Sequence, residues 1–92
     1  MSTKIRVILL REGAVWVAQG LEHDVCVQAD SIEELYGRFD VAVRLEADEP
    51  GGLERIPEAP EYYHSLWDKK AGDYKPVQSQ TPEYDFGVAA YA

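Results

Sequence analysis

The sequence predicts an α+β fold: an antiparallel sheet of three to four strands with a helix packed on one face, in the order β-β-β-α-α-β. Three observations carry this. Short apolar runs divided by tight polar breaks fill residues 4–29, an amphipathic helix opens at Ser31, and strand-like alternation returns near the end of the chain. With 92 residues and 46% hydrophobic content the chain forms a single domain, 1–92. Its core is 4–46, followed by a connector over 47–59, a second helix at about 60–71 and a terminal strand at about 83–91.

Each element has a local cause. Lys4 to Arg11 alternates Ile5, Val7 and Leu9 against Arg6, Ile8 and Leu10, so both faces of the first strand are largely apolar. Arg11-Glu12-Gly13 is a short connection in which Gly13 supplies the positive φ of a hairpin bulge. The second strand, Ala14 to Gly20, puts Val15 and Val17 on one side and Ala14, Trp16 and Ala18 on the other. After Leu21-Glu22-His23-Asp24 a third strand runs from Val25 to Ala29 with Val25 and Val27 on one face.

Ser31 and Glu34 form a reciprocal capping box in which each side chain bonds the other's amide. Ile32, Leu35, Tyr36, Phe39, Ala42 and Val43 then recur at three- and four-residue spacing, an apolar stripe that fades at Glu46. Acids at the helix start and Arg44 near its end suit the helix dipole. Gly37 opposes the helix by about 1 kcal/mol relative to Ala, which points to close packing there.

Pro50-Gly51-Gly52, Pro57 and Pro60 exclude regular structure from the connector. Pro60 suits a first helical turn, Tyr62, Tyr63, Leu66, Trp67 and Lys70 keep helical spacing, and Gly72 ends that helix. Lys75 to Thr81 reads as a loose polar segment, and Tyr84, Phe86, Val88 and Ala90 share one face of the terminal strand. One helix cannot cover both faces of such a sheet. The second helix or another copy of the chain must cover the reverse face, and a homodimer is the expected assembly.

Charge narrows the partners. The net charge is −8, from 17 acidic and 9 basic side chains, with most of the excess in residues 46–92, so phosphate backbones are repelled and no nucleic acid is expected. A lone cysteine, Cys26, rules out an intrachain disulfide framework and fits a reducing compartment. The first apolar run is too short for a membrane span, and a soluble cytoplasmic protein is expected.

The stretch from Val15 to Leu35, with its "WVAQ" strand, its Cys26-Val27-Gln28 strand and its Ser31-x-x-Glu34 helix opening, resembles the HicB-like antitoxin family over roughly residues 5–46. The resemblance implies a β-β-β-α core akin to a reduced ribonuclease H fold. In complete antitoxins that core binds and blocks a small ribonuclease toxin. Complete members usually append a DNA-binding unit, whereas this chain has no basic recognition helix after Glu46. The family's Pro-x-x-Pro-Gly-Cys stretch is replaced here by Leu21-Glu22-His23-Asp24-Val25-Cys26. The chain looks most like stand-alone HicB-like proteins of bacteria.

Catalytic signatures are weak. A ribonuclease H chemistry needs carboxylates converging on two metal ions, one normally from the first strand, and Lys4 to Leu10 carries none. Glu33 and Glu34 fit a helix start better than a metal site. His23 and Cys26 have H-x-x-C spacing, but only His64 remains to complete a zinc site. Flanking valines make Cys26 an inert, buried thiol. No catalytic residue, cofactor or metal ligand is therefore expected. Trp16, Tyr62, Tyr63 and Trp67 are the candidate protein-binding residues, weighed against a core-packing role. The acidic run Glu46, Asp48, Glu49 and Glu54 suits a solvated loop or a basic partner such as a small ribonuclease toxin. A non-catalytic interaction domain of the HicB-like kind is the leading reading, with a degraded nuclease-like enzyme or a nucleic-acid-binding regulator as the alternative.

Overall fold

A computed structural model describes residues 3–70, 75–79 and 84–91. The elements are β1 (Thr3–Glu12), β2 (Val15–Gly20), β3 (Cys26–Ala29), α1 (Ile32–Asp48), a 3-10 turn (Gly52–Arg55), α2 (Glu61–Lys70), β4 (Lys75–Gln78) and β5 (Tyr84–Tyr91). The class is α+β, as the periodicities predict. The sheet has five strands in the order β3-β2-β1-β5-β4, and it is mixed rather than wholly antiparallel, because β5 lies parallel to β1 with Ile5 opposite Phe86 and Val7 opposite Val88.

The first hairpin closes more tightly than a bulge. Glu12 pairs with Val15, leaving the two-residue loop Gly13-Ala14, and Gly13 has φ 62°. A glycine in the first loop position with positive φ is the arrangement that matches strand twist in a two-residue hairpin.

Two cores sandwich the sheet. On one face Ile5, Val7 and Leu9 of β1, Ala18 of β2 and Phe86 and Val88 of β5 pack against Leu35, Phe39 and Val43 of α1. The Phe39 and Phe86 rings meet edge to face at 5.3 Å, which ties the helix to the far half of the sheet. Each of Leu35, Phe39 and Val43 is almost wholly withdrawn from water, worth roughly 2 kcal/mol apiece in transfer free energy. On the reverse face Ile8, Leu21, Ala59, Trp67 and Ala89 form a second cluster. Here α2 supplies the cover that the two-faced first strand demands, so the chain shields its own reverse flank. The need for a second copy does not follow from that flank.

Several local readings change. The Ser31 hydroxyl accepts from the Glu34 amide at 3.2 Å, but the Glu34 carboxylate faces Arg38 at 3.5 Å, so only half of the capping box forms. α1 runs on to Asp48, which leaves no basic residue in its last turn. Gly37 is exposed, and a methyl added there would meet nothing within 4 Å, so close packing does not explain it. The tight glycine is Gly20, whose added Cβ would sit 2.9 Å from the His23 carbonyl and 3.1 Å from the Phe39 ring.

The connector holds the 3-10 turn, which opens at Gly52 after Gly51, both at positive φ, and Lys75–Gln78 of the polar segment forms β4 against β5. Pro60 precedes α2 and accepts from the Tyr63 amide at 3.0 Å, so the helix proper begins at Glu61. Ala71 and Gly72, expected to end that helix, and residue 83, expected to open the last strand, lie outside the described residues.

Candidate interaction surface

The four aromatic candidates do not share one surface. Trp16 sits on the α1 face, half-buried against the main core, with the Arg11 guanidinium 5.4 Å from its ring. Tyr63 and Trp67 lie on the opposite face. Trp67 is 8% exposed and belongs to the second cluster, with the Arg6 guanidinium 5.7 Å from its ring. Tyr63 packs partly buried against the same cluster and meets Tyr62 edge to face at 5.2 Å. Tyr62 alone among them is broadly open, at 63% exposure. Sequence periodicity placed all four on element faces but could not say which sheet face each would reach.

Arg6 is fixed by more than the indole. Its amide and its Nε donate to the two carboxylate oxygens of Glu22, at 2.8 and 2.6 Å. The trough of about 900 Å³ beside it, between Trp67 and the β4 and β5 residues Pro76, Val77 and Asp85 to Gly87, therefore contains a cation already committed within the chain.

A different feature emerges at the sheet edge. β3 is an outer strand, and Gly20 donates to the Val25 carbonyl at 2.9 Å while Cys26 and Gln28 stand opposite Gln19 and Val17. Alternation along an antiparallel pair then turns the backbone groups of Cys26 and Gln28 outward. Arg38 Nη1 donates to the Gln28 carbonyl at 2.8 Å, the only bond to this edge among the described residues. Upstream the edge is covered by the connector, since Asp24 donates to the Pro57 carbonyl and Ala59 to the Leu21 carbonyl.

Between β3 and the second half of α1 runs an open groove of about 430 Å³ lined by Val25, Cys26, Ala42, Leu45 and Ile56 together with the acidic Asp24 and Glu46. Leu45 is 59% exposed. Glu46 is paired with Arg55 at 2.5 Å, whereas Asp24 has only a neutral partner, the Gln19 side-chain amide at 2.8 Å.

Cys26 is exposed rather than buried, because its side chain projects from an edge strand on the α2 face. Partial shielding of the sulfur, then the charges of Asp24 and Glu12, push its thiol above the ordinary value. Burial, followed by Cys26, Glu12, Tyr62 and Asp24, pushes the Tyr63 phenol up in the same direction. Asp24 and Glu12 contribute to both shifts, and the bond from Gln19 puts the Asp24 carboxylate beside the β3 edge, whereas Glu12 lies two strands in, on β1. No three His, Cys, Asp or Glu side chains converge on a metal-sized site among the described residues. No described helix is long and apolar enough to cross a membrane.

Compared with known proteins, the chain matches no family model, no curated protein and no solved structure. The functional reading therefore rests on the geometry of the chain itself and on the motifs quoted above.

Proposed function

We propose that this chain is a non-catalytic protein-interaction domain of the HicB-like antitoxin type, self-associating and binding a small basic protein, of which a ribonuclease toxin is the kind the resemblance implies. The observation that carries the reading is a groove, part apolar and part acidic, with an exposed leucine, Leu45, beside an outer strand of the sheet. Apolar contact supplies affinity at such a site, and the net charge of −8 steers a basic partner toward it. The β1-β2-β3-α1 order agrees with the core that the resemblance implies.

The test is co-expression with a small basic protein encoded beside this chain, followed by co-purification. A complex that weakens as salt rises supports the reading, because exposed charges are screened beyond a Debye length of about 8 Å at physiological ionic strength. Absence of any complex overturns it. Self-association is read separately by sedimentation at micromolar concentration, where a strict monomer removes that part of the proposal.

A further inference from the structure

The two outer strands of the sheet are protected unequally. β4 carries Lys75 and Pro76, a charge and a missing amide, which are common guards against pairing with another chain. β3, Cys26-Val27-Gln28-Ala29, has neither. Its guards are its short length and the single hydrogen bond from Arg38 to the Gln28 carbonyl. The Cys26 amide, the Cys26 carbonyl and the Gln28 amide point outward with no partner among the described residues.

The surroundings of this edge differ on its two sides. On the α1 side lie the apolar groove walls Val25, Ala42, Leu45 and Ile56. On the α2 side the Gln19 side-chain amide, opposite Ile8 in the sheet, holds the Asp24 carboxylate at 2.8 Å beside Cys26. That carboxylate is in no ion pair among the described residues. A strand laid against an edge sends alternate side chains to opposite faces. Such a strand would fit here if one set is apolar and the other basic.

We propose that the edge of β3 from Cys26 to Gln28 takes an extended segment of a basic partner protein as an added strand, its apolar side chains entering the groove beside Leu45 and its basic side chains facing Asp24. This rests on the protein-interaction reading and specifies its mode. The commitment at this edge to a basic partner follows from charge, since Asp24 beside it lacks a cation and a second copy would bring a net −8 to it, so self-association uses another surface. Only about three residues can pair before the connector at Pro57 blocks the line, so side chains carry most of the affinity. Arg38 must release the Gln28 carbonyl for the strand to seat, which makes it a removable guard.

The probe is a capped octapeptide of alternating lysine and valine, compared with a proline-interrupted peptide of equal charge, and binding is followed through backbone amide shifts. The alternating peptide should move the Cys26 and Gln28 amides and the residues around Leu45, and the interrupted peptide should not. Gln28→Pro, which removes an outward amide without touching the β2 ladder, and Leu45→Asp, at an exposed site, should each weaken binding about ten-fold. Arg38→Ala should tighten binding, whereas Arg44→Ala removes the same charge elsewhere on α1 and should leave this edge unchanged. Shifts scattered over the acidic surface, or equal binding by all variants with undisturbed amide spectra, overturn the proposal. A concentration-dependent dimer lost in Gln28→Pro overturns the choice of occupant. If the co-purified basic protein is retained equally by wild type, Gln28→Pro and Leu45→Asp, the docking mode fails while the interaction reading stands. If wild type retains neither that protein nor the peptide, both fail.

Discussion

Trp67→Ala separates a core role from a contact role for the aromatic helix α2. The indole is 8% exposed, packs with Ile8, Leu21, Ala59 and Ala89, and holds the Arg6 guanidinium at 5.7 Å. Truncating a buried Trp or Phe costs about 3–5 kcal/mol, and the lower end applies here because one side of the ring borders an open trough. A chain of this length is stable by roughly 5–14 kcal/mol, so the loss is a large share of the total. With a urea slope of about 1 kcal/mol/M, the unfolding midpoint should fall by about 3 M. Tyr62→Ala on the same helix, at 63% exposure, should stay within about 0.5 kcal/mol of wild type. Equilibrium urea unfolding by circular dichroism reads both. A Trp67→Ala protein that loses less than about 1 kcal/mol would refute the assignment of α2 as the lid of the second core.

Other outcomes follow from single positions. Gly37→Ala should raise stability by about 1 kcal/mol, since the site is an exposed helix interior with empty space around it, whereas Gly20→Ala should lower it by more than about 1 kcal/mol through contact with the His23 carbonyl and Phe39; thermal melting distinguishes the signs. Ser31→Ala should cost about 1 kcal/mol by freeing the Glu34 amide, and a Ser31→Asp protein should retain wild-type stability in the same melts. The thiol and phenol of Cys26 and Tyr63 both titrate higher in the folded state than in the unfolded one. Their stabilising effect is therefore complete below the unfolded pKa values and is lost as pH rises through the folded ones. Melting temperature should decline in the alkaline range, and the decline should flatten in Cys26→Ser with Tyr63→Phe; an unchanged slope contradicts the assignment. Alkylation of Cys26 by iodoacetamide at neutral pH should run slower than that of free cysteine yet go to completion, because the thiol is exposed but poor in thiolate.

The legible parts of the fold were those set by local pattern. Ile5, Val7 and Leu9 against Ile8 and Leu10 gave β1 its two faces, and the Ile32 to Val43 stripe gave α1 its buried side, because a period of two or of 3.6 is written in neighbouring residues. The parallel pairing of β5 with β1 was not legible, since strand direction in a sheet depends on where a crossover lands rather than on alternation. β4 was missed because Lys75-Pro76-Val77-Gln78 has an edge-strand composition with little apolar signal. Close packing was expected at Gly37, whereas it falls at Gly20. A glycine inside a helix looks costly from propensity alone, whereas the glycine that the packing requires ends a strand, where its neighbours come from the His23 loop and from α1.

Covering both sheet faces within one chain moves the functional question from the faces to the rim. Had α2 been absent, Ile8, Leu10 and Ala89 would form a flat apolar surface able to bind another flat surface, and Tyr63 and Trp67 would not be there to fill it. With α2 in place Trp67 is spent on the interior, and what the described surface still offers is backbone hydrogen bonding at β3 and the exposed side chains of Val41, Leu45 and Tyr62, of which Leu45 lines the groove beside that edge. Backbone groups at an edge read the shape of a strand and not its sequence, so selectivity must come from the sides of that edge. Asp24 on one side and the Leu45 groove on the other supply it, and that pairing favours a basic, alternating segment over a copy of this acidic chain.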